Sequence, residues 1–239
     1  VVTTYGESKG SDVYISGIKS TPFGNKFTLS LDGKKVEVGI NLPGKFNVSN
    51  AAAAAGAGQW LGLSPAKIAK DLLALKSAPG RMETVDAGQS FTVVVDYAHA
   101  PDALENALAA LKSTTKGKLI VVFGATGDRD KTKRPDMGKA VAAHADNIFL
   151  TDDETYTEDP EAIREGVMKG IKAAKAATKT TVVPDRMDAI RAAFAQAKKG
   201  DTVLLAGLGH QNSRNMGGTE IPWDDRQVAK DLLAHIEYI

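Results

Sequence analysis

Between Val13 and Ile40 polar and apolar positions alternate, with glycine at the reversals: Phe27-Thr28-Leu29-Ser30-Leu31, then Asp32-Gly33, then Val36-Glu37-Val38. Alternation of period two turns one face of each strand inward, and Asp-Gly between two such runs suits a tight hairpin, so antiparallel strands are predicted. From Asn47 the period lengthens. Ser49-Asn50 is placed to cap an alanine-rich helix running to about Leu61, and Ser64-Pro65 to open a second helix ending near Leu75. The punctuated stretch Ser77-Ala78-Pro79-Gly80-Arg81 reads as a boundary, dividing the chain into residues 1–80 and 81–239.

Beyond it the pattern is regular. Short apolar runs at Phe91–Val95, Leu119–Phe123, Ile148–Leu150, Thr181–Val183 and Thr202–Leu205 alternate with helical patterns, one of which puts Met187, Ile190 and Phe194 on a shared face. Strands alternating with helices predict an α/β fold with an open, mostly parallel, Rossmann-like sheet, preceded by a partial α/β layer. Ligands of such sheets gather at the carboxyl ends of the strands.

Composition works by exclusion. The 239 residues are 43% hydrophobic and 25% charged with a net charge of +1, which fits a globular protein and gives no pull toward nucleic acid or a membrane surface. The absence of cysteine excludes disulfides, thiolate metal sites and a cysteine nucleophile. No apolar run approaches the roughly 18 residues of a spanning helix, and Val1-Val2-Thr3-Thr4 carries no secretion pattern. A cytoplasmic protein is expected. A start on valine, in what reads as mid-strand, suggests a piece of a longer chain.

Four strand-end loops carry candidate chemistry. Asp96-Tyr97-Ala98-His99-Ala100-Pro101-Asp102 offers a carboxylate and an imidazole able to hold a ribose, although Asp96 can simply end the strand and Asp102 sit in a helix's first turn. In Gly124-Ala125-Thr126-Gly127-Asp128-Arg129-Asp130-Lys131-Thr132-Lys133-Arg134 two glycines permit close approach, and four cations can meet phosphate or carboxylate, or form a solvated loop. No Gly-x-x-Gly-Lys-Ser/Thr occurs in the chain, so this is not a Walker A loop; it also lacks the third glycine of a dinucleotide fingerprint, which argues against an NAD(P) reductase. The acidic run Thr151-Asp152-Asp153-Glu154-Thr155-Tyr156-Thr157-Glu158-Asp159-Pro160 suits a cationic ligand group or a hard metal, with Asp159-Pro160 also able to start a helix. Ala206-Gly207-Leu208-Gly209-His210-Gln211 combines glycines with a histidine that can contact a ligand or bond internally. His144 and His235 receive no role, and Trp60 and Trp223 read as core.

Taken in order, Gly44 to Asn50, Gly80-Arg81-Met82-Glu83, Val95 to Asp102, Val122 to Pro135, and Ala206 to His210 resemble the Mur ligase family across residues 40–239, most of all its UDP-N-acetylmuramoyl-tripeptide synthetase (MurE-type) branch. The resemblance implies a three-domain amide ligase of peptidoglycan synthesis that uses ATP and Mg2+ on a UDP-muramoyl-peptide and an incoming amino acid. Residues 1–80 would end its central ATPase domain and 81–239 form its C-terminal domain, without a metal site of their own. By the same resemblance, Asn47, Asn50 and Arg81 face the adenine, Asp96 and His99 the ribose, and Lys131 and Lys133 phosphate, while Arg129 binds the carboxylate of the incoming amino acid. Family members that add meso-diaminopimelate carry Asp-Asn-Pro-Arg where this chain has Asp153-Glu154-Thr155-Tyr156, and Gly-Lys-Gly-His-Glu where it has Gly207-Leu208-Gly209-His210-Gln211. Tyr156 thus replaces the arginine that would grip a distal carboxylate. The implied acceptor is a diamino acid without a distal carboxylate, such as lysine or ornithine, with Asp153 and Glu154 pairing its side-chain ammonium and Gly207, His210 and Gln211 completing the pocket. The family's phosphate loop, magnesium ligands and modified lysine lie upstream of the matching region, so the chain is expected to be inactive without the missing N-terminal and central segments. A non-catalytic nucleotide- or amino-acid-binding α/β module is the competing reading. Folylpolyglutamate synthases share the architecture, but the Asp96–Asp102 and Gly80–Glu83 motifs fit the muramoyl branch better.

Overall fold

The computed structural model describes residues 2–21 and 23–235. The chain forms two compact units, one ending at Ser77 and the other beginning at Ala78. Val1 lies outside the described residues, and Val2, Thr3 and Thr4 precede the first strand rather than belonging to it.

In the first unit a short β1 (Tyr5–Gly6) pairs in parallel with β2 (Val13–Thr21), and β2, β3 (Gly24–Leu31) and β4 (Lys34–Ile40) follow as antiparallel neighbours. Asp32 and Gly33, at φ 47° and 73°, make the left-handed two-residue turn that suits strand twist. Two helices, α1 (Lys45–Trp60) and α2 (Pro65–Ala74), cover one sheet face. Val13, Ile15, Phe27, Leu29, Val38 and Ile40 pack there against Val48, Ala51, Ala52 and Ala55 of α1 and Ile68 and Leu72 of α2, the small alanines letting α1 lie close. Two expectations are corrected. Gly44, at φ 87°, turns the chain so that α1 starts at Lys45; Ser49 and Asn50 therefore lie exposed inside the helix and do not cap it. Trp60 falls off the inward stripe and is 79% exposed, not core.

The second unit runs β5 (Glu83–Val85), β6 (Thr92–Asp96), α3 (Pro101–Lys112), β7 (Leu119–Phe123), α4 (Lys133–His144), β8 (Asn147–Leu150), α5 (Pro160–Ala173), β9 (Thr180–Val182), α6 (Arg186–Gln196), β10 (Thr202–Ala206), β11 (Ser213–Met216), β12 (Thr219–Pro222) and α7 (Asp225–Ala234). Six strands form one sheet in the order β5-β6-β10-β7-β8-β9, parallel except for β5. Alternate strand residues feed two cores. Val94, Val121, Ile148 and Leu204 join α3, α4 and α5 on one face, and Val93, Val95, Val122, Phe149 and Leu205 join α6 and α7 on the other. In α6 the buried stripe is Arg186, Ala189, Ile190, Ala193 and Phe194; Met187 points away from it and is 38% exposed, against expectation. Asp159, Asp185 and Asp224 cap α5, α6 and α7 through their carboxylates. Helices α4 and α5 touch through glycine: a Cβ on Gly170 would lie 1.7 Å from the Pro135 carbonyl oxygen, and one on Gly138 2.3 Å from that of Val167. Among the described residues no helix is long and apolar enough to cross a membrane.

Candidate functional site

Strand β10, late in sequence, lies between β6 and β7, so the carboxyl ends of β6, β10, β7 and β8 stand side by side. Their loops converge on a cleft of about 180 Å³. Tyr97 and His99 reach it from β6, Thr126 and Arg129 from the β7–α4 connection, Lys133 from the start of α4, Glu154 and Tyr156 from β8, and Gly207 and Gln211 from β10.

On the β6 side, His99 Nδ1 lies 2.7 Å from the Tyr97 carbonyl oxygen. A carbonyl only accepts, so Nδ1 carries a proton and donates it to this bond. The Tyr97 ring carries His99 at 4.5 Å edge-on, His210 at 5.0 Å and the Arg81 guanidinium at 4.8 Å. Gly80 and Gly209 make this stack possible, since a Cβ on either would meet backbone or the Tyr97 side chain at 2.6 Å or less. Asp96 is turned inward: its two oxygens accept the amides of Met82 (2.7 Å) and Ala98 (2.8 Å), and burial raises its pKa against those bonds.

Across the cleft, the Arg129 guanidinium lies 5.2 Å over the Tyr156 ring, a cation–π pair, and the Lys133 ammonium donates to the His99 carbonyl at 3.2 Å. Neither cation has an ion-pair partner among the described residues. Glu154 faces them, half-buried, with one oxygen accepting the Asn215 amide at 3.2 Å. Lys131 instead pairs with Glu158 at 2.9 Å and does not line the cleft.

Beneath the cleft floor is a buried charge cluster. Arg186 donates to both oxygens of Asp225 (2.9 and 2.6 Å) and to the Ala206 carbonyl (3.0 Å), both side chains being fully enclosed. Burial works against the Arg186 charge, but Asp225 more than offsets it and its pKa is raised. Trp223 Nε1 also donates to Asp225 at 2.8 Å, and Arg214 lies 4.1 Å over the Trp223 ring. Asp153 belongs to this cluster rather than to the cleft. It is 1% exposed, a Cβ on Gly207 would touch its Oδ2 at 2.6 Å, and its Oδ1 accepts no hydrogen bond among the described residues. Burial pushes its carboxyl up to about 6, with Arg186 pulling the other way.

Of the residues singled out from the sequence, His99, Arg129, Lys133, Glu154, Tyr156, Gly207 and Gln211 meet at one cleft, whereas Arg81, Asp96, Lys131, Asp153 and His210 do not line it. The expectation that Asp153 pairs a substrate ammonium is not met, because the carboxylate points into the protein. Asn47 and Asn50 belong to the first unit, where Asn47 donates to the Pro43 carbonyl (2.7 Å) and Asn50 to Asn47 (3.1 Å). Tyr97 and Thr126 line the cleft without having been assigned a role; both sit inside the motifs read from the sequence. Arg186 and Asp225 left no such trace, because each stands beside other charges at a helix start and their pairing spans 39 residues.

Residues 80–209 match the Mur ligase glutamate ligase domain, and residues 1–58 match the Mur ligase middle domain. The chain is 40% identical over 236 residues to the UDP-N-acetylmuramoyl-L-alanyl-D-glutamate--2,6-diaminopimelate ligase of Caldanaerobacter subterraneus subsp. tengcongensis, covering 99% of this chain and 48% of that protein. It is 43% identical over 229 residues to the ligase of the same name from Geobacillus thermodenitrificans, covering 96% and 46%. A solved structure of a 2,6-diaminopimelate ligase superposes with a TM-score of 0.70 at 35% identity, covering 98% of this chain and 48% of that one. MurC from Thermotoga maritima shares the fold, with a TM-score of 0.71 at 19% identity over 97% of this chain and 47% of its own. The chain spans about half the length of the curated relatives it matches.

Proposed function

The chain belongs to the Mur ligase family, and on that premise we propose that it is part of a cytoplasmic, ATP-dependent, ADP-forming amide ligase that adds the third amino acid to UDP-N-acetylmuramoyl-dipeptide in peptidoglycan synthesis. Residues 1–80 are the end of the central domain and residues 81–239 the C-terminal domain. In the reaction the dipeptide carboxylate takes the γ-phosphoryl group of ATP, the incoming amine attacks the acyl phosphate, and phosphate leaves as the amide forms. The protein must orient the amine, neutralise phosphate and exclude water.

The carrying observation is that Arg129 and Lys133, two cations without a carboxylate partner among the described residues, face the Glu154 carboxylate across one cleft. Arg129 pairs the α-carboxylate of the incoming amino acid, where a guanidinium fork gives orientation as well as affinity. Glu154 takes the side-chain ammonium, and Lys133, with Arg81 and His99 of the same unit, serves the nucleotide side. Among the described residues there is no group of three or more His, Asp or Glu side chains able to hold a metal ion.

The two relatives from Caldanaerobacter and Geobacillus are named as 2,6-diaminopimelate ligases. Support for a different acceptor comes from Tyr156 and the neutral Gln211, which offer a distal carboxylate no cation; an unpaired buried charge costs several kcal/mol. The acceptor is therefore a diamino acid without a distal carboxylate, lysine or ornithine. The test is the complete ligase assayed with lysine, ornithine and meso-diaminopimelate. A higher kcat/KM for lysine or ornithine is expected, and faster ligation of diaminopimelate refutes the assignment.

A further inference from the structure

The loops that follow β7 and β8 leave neighbouring strands, and each bends at a non-glycine residue in the left-handed region, Asp128 at φ 51° and Tyr156 at φ 47°. Such backbone persists only where surrounding bonds hold it. Here each loop holds the other. The Asp128 amide donates to Glu158 Oε1 at 2.6 Å, and in return the Thr157 amide and hydroxyl donate to Asp128 Oδ2 at 3.1 and 2.9 Å. The Gly127 amide adds a bond to the Glu154 carbonyl at 2.7 Å.

Glu158 is itself gripped. Arg134, almost wholly enclosed, donates to both of its oxygens (2.9 and 3.1 Å) and to the Thr126 carbonyl (3.2 Å), and Lys131 pairs with it at 2.9 Å. Of the four cations between the end of β7 and the first turn of α4, two are thus bound to Glu158, and the two that remain, Arg129 and Lys133, are those that line the cleft.

From this geometry we infer that Glu158 is a positioning residue for the incoming amino acid: through Asp128 it fixes the loop that carries Arg129, and by engaging Lys131 and Arg134 it confines the cleft's positive charge to Arg129 and Lys133. The inference rests on the proposed role of Arg129 as partner of the α-carboxylate. An exposed guanidinium on an unbraced loop would have to be ordered at each binding event, whereas a braced one is already aimed.

The test is made in the complete ligase. Glu158→Gln keeps the side-chain size and removes the charge that gathers Lys131 and Arg134. The KM for the amino acid is expected to rise on the order of 10- to 100-fold, while kcat at saturating amino acid stays near wild type and the KM for ATP does not rise. Glu161→Gln, an exposed change in the first turn of α5, is expected to behave as wild type. An unchanged amino-acid KM, or one that rises only together with that for ATP, overturns the inference. Should Glu158→Gln fail to fold, Thr157→Val, which loses only the hydroxyl bond to Asp128, is expected to raise the same KM by less, and no rise overturns the inference equally. Arg129→Ala separates the two levels. If it leaves the amino-acid KM unchanged, the role proposed for Arg129 falls; if it raises that KM and Glu158→Gln does not, the positioning role alone falls.

Discussion

Asp153 sits enclosed beneath Gly207 with Arg186, Asp225 and Arg214 around it, and its carboxyl titrates near 6 instead of the ordinary 3.8. A raised carboxyl pKa contributes stability that is fully present below pH 3.8 and is lost as pH rises through 6, because the unfolded chain gives up its proton first. The loss is on the order of 3 kcal/mol. Urea unfolding of the wild type and Asp153→Asn at pH 4 and pH 7 is expected to show the variant gaining on the wild type by about that amount over the interval; a difference that does not change with pH would mean that Asp153 ionises normally. Glu158 runs the opposite way: Arg134 and Lys131 hold its carboxyl down to about 2, so its contribution is present above the ordinary 4.5 and lost only as pH falls toward 2. Both residues stand in the same acidic run, which the sequence presents as one uniform loop. Which carboxylate faces the cleft, which is braced by cations and which is buried depends on partners far along the chain, such as Arg186 and Asp225, and local spacing carries no information about them.

At the scale of elements, pattern and structure agree where an element has two faces to declare. The Asp32-Gly33 hairpin, the Ser64 cap, the Asp159-Pro160 helix start and the short apolar parallel strands were all legible, since each rests on local backbone chemistry or on a continuous buried run. Strand β5, with three residues, is too short to show a period, and β11 and β12 are a largely polar pair whose partner is each other. The start of α1 was misread because Gly44 sets it by backbone conformation without a side-chain cap. The α4–α5 contact offers a direct check on packing. Gly170→Ala places a methyl where the Pro135 carbonyl already lies, 1.7 Å from the new carbon, so the helices must part. A loss of about 1–3 kcal/mol in denaturant unfolding is expected, and an unaffected midpoint would mean that the two helices are not in contact at this point.

For the whole molecule, the fold class could be read from the regular alternation of strand and helix, and five ordered motifs indicated the family; the order of strands in the sheet could not, because parallel pairing is settled by crossovers rather than by neighbours in sequence. The chain contains no Gly-x-x-Gly-Lys-Ser/Thr loop, and in P-loop enzymes phosphoryl transfer depends on such a clamp to offset the phosphate charge. The 239-residue chain alone is therefore expected to release no ADP from ATP when given muramoyl-dipeptide and lysine, measured by coupled assay, and turnover above background would show that the clamp is dispensable. The placement of β10 has a consequence for biosynthesis. Because β6 and β7 pair with β10 and not with each other, a nascent chain leaving the ribosome carries two apolar strands whose inner edges stay open until residues 202–206 emerge, more than a hundred residues after β6. Open strand edges are templates for wrong pairing, so the sheet of the second unit cannot close before β10 has been made.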